Sequence, residues 1–193
     1  MNIHRPIQSP QEPTPHRITV DEYFALSRDS LNHLDRKFEL WDGVIIEMPS
    51  DSPLTVRWTS TINRWLFSNL DESYVIASDA TLRMDGDWAP DPDHFVFQAN
   101  VREEDLRPTD VLLLIEVSNT TLKSDLGKKA IAYAENGIRE YWVIDPNSKT
   151  LFAHQLREDG TYGPPAEIAF TDTITAQHIP GLTLRMADLP RIS

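Results

Sequence analysis

The segment from Val111 to Asp145 constrains the fold of this chain more than any other part of the sequence. It contains an apolar run, a short polar connection, an amphipathic stretch and a second apolar run. This order predicts a buried strand, a helix and another buried strand. The two strands are expected to lie parallel, with a right-handed connection between them. The chain is therefore predicted to be α/β with a mixed sheet.

The composition excludes several classes of protein. A chain of 193 residues is long enough to bury one core, so a single domain is expected. No apolar run reaches the roughly 18 residues that a bilayer crossing needs, and no signal-peptide pattern begins the chain. We therefore expect a cytoplasmic protein without membrane contact. The absence of cysteine excludes disulfides, thiol catalysis and zinc sites of the cysteine type.

The net charge of −12 bears on any nucleic-acid partner. Surfaces that bind DNA are usually basic, because neutralising phosphates supplies much of the affinity. An acidic protein can still bind nucleic acid through a local basic patch or through a bound divalent metal. The charge argues against tight, non-specific coating of DNA.

Local patterns predict the remaining elements. Residues 1–17 form a proline-rich arm that is expected to be poorly ordered, and 18–193 form the single domain. The other predictions are a helix after Thr19, a hairpin around Asp42-Gly43, a helix opened by Pro53, a strand pair or one bent strand over 74–84, a strand over 94–97, and, from Thr150, short strands followed by a helical turn near Met186.

The helix inside the central segment is predicted over about 123–136, with Gly137 just beyond its end. At 100° per residue, Lys128 points into solvent, whereas Lys129 lies at the edge of the apolar stripe. Its long stem can therefore run over apolar surface and deliver the ammonium toward the strand ends. Asp125 lies one turn earlier and could form an ion pair with Lys129.

Two carboxylates lie close to apolar strands. Glu116 interrupts the first strand of the central segment, and Asp93 precedes an earlier apolar stretch. Buried acidic groups are costly unless a proton, a cation or a metal compensates them. Asp93, Glu116 and the carbonyl oxygen of Val117 would suit a hard cation such as Mg²⁺, and Lys129 would stabilise an attacking water or developing negative charge.

Each of these residues also has an ordinary structural interpretation. Asp93 lies in a proline-rich turn, where aspartate often makes local hydrogen bonds. Glu116 could pair with a lysine, and Lys129 could simply pair with Asp125. The residues alone leave these alternatives open.

Two further groups carry open alternatives. The tryptophans of the helix after Pro53 favour core or dimer contacts over base stacking; they are Trp58 and Trp65. Three basic residues could contact phosphate, although ordinary surface charges are the simpler interpretation; they are Arg57, Arg64 and Lys123.

Five stretches resemble one known family: ITVDEYFAL, KFELWDGVIIEM followed by a Ser-Pro element, Pro92-Asp93, IEVSNTTLKSDLGKKAIAYAENGIREYWVIDP and IPGLTLRMADL. Together they resemble the PD-(D/E)XK nucleases, and within them the bacterial restriction endonucleases of the Uma-two type, over roughly residues 18 to 190. The resemblance implies a restriction-endonuclease-like core, with a mixed sheet flanked by helices and additional β-hairpins. It also implies a metal site and a homodimer.

The resemblance assigns roles to particular positions. Asp93 and Glu116 match the metal-binding acids, and Lys129 matches the catalytic lysine. In the superfamily that lysine usually lies two positions after the glutamate, where this chain has Ser118. Glu39 matches an acidic position that completes the site; as a residue of the predicted hairpin it could instead be solvated.

One position departs from the family pattern. Relatives often have a histidine where the helix after the Ser-Pro element begins, and this chain has Thr55 there. This departure bears on whether the chain is active.

The sequence thus predicts an endonuclease that uses Mg²⁺ or Mn²⁺ to activate water and hydrolyse phosphodiester bonds, with DNA as the expected partner. Its catalytic residues would be Glu39, Asp93, Glu116 and Lys129, with Asp93, Glu116 and Val117 holding the metal. The alternative is an inactive module on the same fold that binds nucleic acid or protein. A third interpretation, a purely structural dimer, predicts that removing the buried acids is neutral or stabilising.

Overall fold

The structure, a computed structural model, describes residues 16–26 and 36–190. Its strands are β1 Phe38–Trp41, β2 Val44–Glu47, β3 Tyr74–Ser78, β4 His94–Gln98, β5 Leu113–Val117, β6 Glu140–Asp145, β7 Thr150–Gln155, β8 Ala166–Ala169, β9 Ile174–Thr175 and β10 Thr183–Leu184. Its α-helices are α1 Val20–Leu26, α2 Pro53–Asn69, α3 Leu122–Ser124 and α4 Ala130–Glu135. Short 3₁₀ turns cover Glu103–Asp105, Pro108–Asp110 and Met186–Asp188. Most of the predicted poorly ordered arm, 1–15, lies outside the described residues.

A six-stranded sheet in the order β3-β4-β5-β6-β7-β8 forms the centre of the fold. The strands β5 and β6 pair in parallel, as the central segment predicted, and the other neighbours in this sheet pair antiparallel. All residues of β5 and β6 are buried, because both faces of the sheet are covered. The predicted mixed sheet is confirmed.

The two faces of the sheet carry separate apolar cores. On one face, Ile62 and Leu66 of α2 pack in the same cluster as Leu113 and Ile115 of β5. On the other face, α4 contributes Ala130, Ala132 and Tyr133 to a cluster with Leu114 of β5 and Val143 of β6. Burying one aliphatic side chain of this size contributes about 1.5–3 kcal/mol. Alternate residues of β5 therefore anchor opposite layers, and Glu116 shares the α4 face with Leu114.

The helix predicted over 123–136 is not regular. A π-helical turn, Asp125–Lys129, separates α3 from α4. Gly127 within it has poor helix propensity, and the buried Tyr141 hydroxyl donates to the carbonyl oxygen of Asp125 at 3.2 Å. Single π turns inside α-helices often occur at functional sites. The helix ends as expected at Gly137, whose φ of +79° lies in the left-handed region.

The hairpin β1–β2 forms as predicted, around Asp42 and Gly43. Their φ values of +49° and +73° fit the turn with two left-handed residues that matches strand twist. Two backbone hydrogen bonds join Leu40 of β1 and Ala89: the Leu40 amide donates to the Ala89 carbonyl at 3.1 Å, and the Ala89 amide donates to the Leu40 carbonyl at 2.9 Å. The hairpin is thereby held against the proline-rich turn that precedes β4.

The prediction of a strand pair or one bent strand over 74–84 was wrong beyond Ser78. The strand β3 ends there because Asp79 adopts a left-handed φ of +54°, which extended pairing does not allow. Further along, Met84 forms an isolated antiparallel β-bridge with Trp88. Within the described ranges, no helix combines the length and hydropathy needed to cross a membrane.

Candidate active site

One cleft brings together the five residues singled out in the sequence. Its volume is about 260 Å³, and its lining includes Glu39 from β1, Asp93 before β4, Glu116 and Val117 at the end of β5, and Lys129 at the end of the π turn. These residues come from four separate stretches of chain. The cleft therefore exists only once the hairpin, the sheet and the helix are assembled.

Asp93 closes the end of the β4–β5 ladder. The pairing of the two strands begins at His94 and Ile115, so the backbone of Val117 extends beyond it. Asp93 Oδ2 accepts the Val117 amide hydrogen at 2.6 Å in place of a strand partner. Since the N–H and C=O of one strand residue point to the same edge, the Val117 carbonyl lies on the Asp93 side.

Glu116 is held by two donors on one oxygen. Its Oε1 accepts from Lys129 Nζ and from the Tyr133 hydroxyl, each at 2.9 Å. Within the described ranges, its Oε2 receives a single long contact, at 3.4 Å from the Asp93 amide. Burial, followed by the charge of Glu116, raises the pKa of Tyr133 well above 10, so its phenol remains a donor. Tyr133 was not among the site residues that the sequence predicted.

Lys129 is a buried ammonium between two carboxylates. Its Nζ lies 2.9 Å from Glu116 Oε1 and 3.3 Å from Glu39 Oε1, and its side chain is 4% exposed. Burial by itself lowers the pKa of Lys129, but the charges of Glu116 and Glu39 outweigh it and raise the pKa above 10.5. The ammonium also lies over the Trp41 ring at 5.7 Å. Lys128 is exposed, as predicted.

Glu39 is not a solvated hairpin residue, because it is only 3% exposed. Its Oε2 accepts the Trp41 indole hydrogen at 2.5 Å, a contact that the sequence did not suggest. Burial raises the pKa of Glu39, Lys129 lowers it and Glu116 raises it, with a net rise. The resemblance placed this residue at the site, and the structure places it against Lys129.

The ion pair that the spacing of Asp125 and Lys129 allows is not formed in the part of the chain that the structure describes. Asp125 Oδ2 instead accepts hydroxyl hydrogens from Ser118 at 2.7 Å and from Thr121 at 2.6 Å. Lys129 points to the strand-end carboxylates, which supply it with two partners. Ser118, at the position of the usual superfamily lysine, thus serves to fix Asp125.

Asp125 gives the site a pH dependence that Asp125→Asn is expected to remove. Burial, followed by the charge of Glu116, raises the pKa of Asp125 from 3.8 to about 6. The stability that protonated Asp125 contributes to the folded state is fully present below its unfolded pKa and is lost as the pH rises through 6. A rise in pKa from 3.8 to about 6 corresponds to about 3 kcal/mol in the free energy of unfolding. We therefore expect Asp125→Asn to be more stable than wild type near pH 8, with the difference shrinking near pH 5.

Urea unfolding in EDTA at both pH values measures this effect, with Asp172→Asn as an exposed control. An equal difference between Asp125→Asn and wild type at the two pH values would contradict it.

The cleft carries a large excess of acidic groups. Among the residues that the structure describes, seven carboxylates line it, against two lysines; the carboxylates are Glu39, Asp51, Asp79, Asp91, Asp93, Glu116 and Asp125. Burial, followed by the charge of Glu116, raises the pKa of Asp93 well above its ordinary range. Asp91 Oδ1 is buried without a hydrogen-bond partner in the part of the chain that the structure describes. Such a cleft favours the binding of a cation.

The donor set fits a hard divalent metal. Carboxylate oxygens of Asp93 and Glu116 and the Val117 carbonyl are the ligand types that Mg²⁺ and Mn²⁺ prefer, completed by water. Among residues 16–26 and 36–190, no three or more acidic, histidine or cysteine side chains converge as a ready-made cage.

The second lysine of the cleft, Lys37, was also missed. Its ammonium lies 2.6 Å from Asp79 and 3.1 Å from Asp51. It thereby connects the start of β1 to the end of β3 and to the loop before α2. The basic residues considered in the sequence are exposed and do not line the cleft; they are Arg57, Arg64 and Lys123. Thr55, where relatives often carry histidine, lines the cleft at the start of α2 and donates its amide to Ser52 Oγ at 3.1 Å.

Comparisons with known proteins give two findings. The family model described as "Uma2: Putative restriction endonuclease" matches residues 20–187. A crystal structure from Anabaena variabilis, described as a putative nuclease belonging to DUF820, aligns with a TM-score of 0.62 and 18% identity, covering 89% of this chain and 96% of that one. At this identity the likeness shows the fold alone, and it confirms the predicted fold class. No curated protein matches the chain in sequence.

Proposed function

Because this chain belongs to the Uma2 family of putative restriction endonucleases, we propose that it is a divalent-metal-dependent endonuclease that hydrolyses phosphodiester bonds of DNA in the cytoplasm. The observation that carries the proposal is the contact among Asp93, Glu116 and Lys129 at the strand ends. Two acids and a lysine in one cleft match the chemistry that hydrolysis of a charged diester needs.

In this mechanism Asp93, Glu116 and the Val117 carbonyl would hold the cation. Bound Mg²⁺ or Mn²⁺ would supply Lewis acidity, which lowers the pKa of a water and offsets the charge of the scissile phosphate. Lys129 donates hydrogen bonds to the attacking oxygen or to the developing negative charge. Glu39 holds the Lys129 ammonium, and no side chain forms a covalent bond to the substrate.

The second candidate function is a non-catalytic module that binds nucleic acid or protein. The net charge of −12 favours its protein-binding form, since an acidic chain attracts phosphate poorly without a cation. It predicts that the fold persists and that no cleavage occurs with any metal or substrate.

The proposal includes a homodimer. Phe67 near the end of α2 and Val75 on the edge strand β3 expose apolar surface, at 63% and 36%, that a second copy would cover. Sedimentation equilibrium tests this part separately, and a monomer at micromolar concentration would remove it without affecting the nuclease proposal.

The decisive experiment is cleavage of supercoiled plasmid in Mg²⁺ or Mn²⁺. We expect nicking that EDTA stops and that Glu116→Ala abolishes, because this change removes a metal ligand and a partner of Lys129. The exposed Glu167→Ala provides a matched control that keeps activity. Cutting that survives Glu116→Ala would refute the site. No cutting of plasmid, single-stranded DNA or RNA would favour the binding module.

A further inference from the structure

Apolar packing alone does not account for one contact of Tyr133, the hydrogen bond of its hydroxyl. Its ring is fully buried, and the Tyr141 ring meets it edge-on with centroids 4.9 Å apart. Its hydroxyl donates to Glu116 Oε1 at 2.9 Å, a bond that a phenylalanine at this position would lack. The hydroxyl is therefore directed specifically at the carboxylate of the candidate metal site.

The two carboxylate oxygens of Glu116 have different hydrogen-bond partners. A carboxylate oxygen has about two lone-pair positions, and Oε1 already receives Lys129 and Tyr133. From residues 16–26 and 36–190, Oε2 receives a single contact, at 3.4 Å from the Asp93 amide. One oxygen is thus fully engaged, while the other remains for a ligand on the Asp93 side.

Lys129 cannot maintain this orientation alone. Its ammonium is shared with Glu39 at 3.3 Å, and in the proposed reaction it must also serve the substrate. A lysine is a flexible donor on a long stem, whereas the Tyr133 ring is fixed by its neighbours. The two residues lie four positions apart, so one face of the helix brings both to Oε1.

We propose that Tyr133 is a positioning residue, which holds Glu116 so that Oε2 faces the cation while Lys129 is released for the reaction. This inference rests on the proposed function, since it concerns the same metal site. Tyr133 contacts neither substrate nor metal and acts only through Glu116. Groups that orient a metal ligand in this way typically change metal affinity by about 10- to 100-fold when they are removed.

The test is calorimetric titration of Mn²⁺ alone into wild type and Tyr133→Phe. We expect the variant to bind Mn²⁺ at least about 10-fold more weakly. In cleavage assays it should require more metal for half-maximal rate, while the rate at saturating metal stays within about threefold of wild type. If Tyr133 had a purely structural role, Tyr133→Phe would lower the free energy of unfolding but would not weaken Mn²⁺ binding while leaving the cleavage rate at saturating metal nearly unchanged.

Tyr141→Phe is the matched control, because Tyr141 is equally buried, adjoins Tyr133 and donates instead to the Asp125 carbonyl. It should bind Mn²⁺ as wild type does. Equal Mn²⁺ affinity in wild type and Tyr133→Phe would overturn the inference and leave the proposed function standing. Absence of Mn²⁺ binding to the wild type would overturn both.

Discussion

Replacing Asp93 with asparagine is expected to abolish metal-dependent cleavage while making the folded protein more stable. The amide oxygen keeps the bond to the Val117 amide, which is 2.6 Å long in the wild type. The substitution removes a charge that burial and Glu116 disfavour, as the raised pKa of Asp93 indicates. Near pH 8 we expect a gain of about 1–3 kcal/mol in the free energy of unfolding in EDTA.

The same change removes a ligand that the proposed mechanism cannot replace. We expect the cleavage rate to fall by at least about 10³-fold, equivalent to about 4 kcal/mol of transition-state stabilisation. Wild type should also gain stability when Mg²⁺ is added, because a ligand that binds the folded state favours folding. Asp93→Asn should lose most of that gain.

Single-turnover cleavage and urea unfolding, with and without Mg²⁺, measure these effects. Asp51→Asn is the matched control, since Asp51 lines the same cleft but is exposed and paired with Lys37. If Asp93→Asn cut as fast as Asp51→Asn, Asp93 would not be a metal ligand. If it were less stable than wild type in EDTA, the electrostatic description of the cleft would be wrong.

Replacing Lys129 with methionine is expected to have the opposite effect on stability. The change leaves Glu39 and Glu116 buried without their cation, and breaking one side of a buried ion pair costs about 3–5 kcal/mol. Cleavage should fall by about 10²- to 10³-fold, because a donor to developing negative charge is lost. Divalent metal should restore part of the stability, since it supplies positive charge to the same cleft.

Lys128→Met on the exposed side of the same helix should change stability by less than about 0.5 kcal/mol and leave cleavage intact. The double variant Lys129→Met/Glu39→Gln should recover stability, because it neutralises one of the two carboxylates, but not activity. Equal stabilities of the Lys128 and Lys129 variants in EDTA would show that the carboxylates do not depend on Lys129.

The sequence predicted what local patterns encode. Two apolar runs flanking a helix gave β5 and β6 in parallel, and the helical period separated the buried Lys129 from the exposed Lys128. Glu39 came from the resemblance alone, because its contact with Lys129 spans 90 positions along the chain and no local pattern carries it.

Tertiary structure decided the rest. The spacing of Asp125 and Lys129 satisfied the helical rule for an ion pair, yet the strand-end acids offered Lys129 better partners. Tyr133 lies on the apolar stripe, where a pattern cannot distinguish a packing ring from one whose hydroxyl has a partner. The fact that Lys129 and Tyr133 are four positions apart was the available signal. Apart from Gly127, no residue pattern in the sequence indicated the π turn.

The hairpin β1–β2 is a separate two-stranded sheet, attached to the turn before β4 through the Leu40–Ala89 pair. The two walls of the cleft are therefore built from different sheets. Asp93 and Glu116 belong to a wall formed by the central sheet, which is covered on both faces, whereas Glu39 belongs to the separate hairpin. Detaching the hairpin would break the buried Glu39–Lys129 ion pair and the backbone bonds of Leu40 and Gly43, but it would leave the pairing of β4 and β5 intact. The position of Glu39 against Lys129 thus depends on how the hairpin docks, and the positions of Asp93 and Glu116 do not.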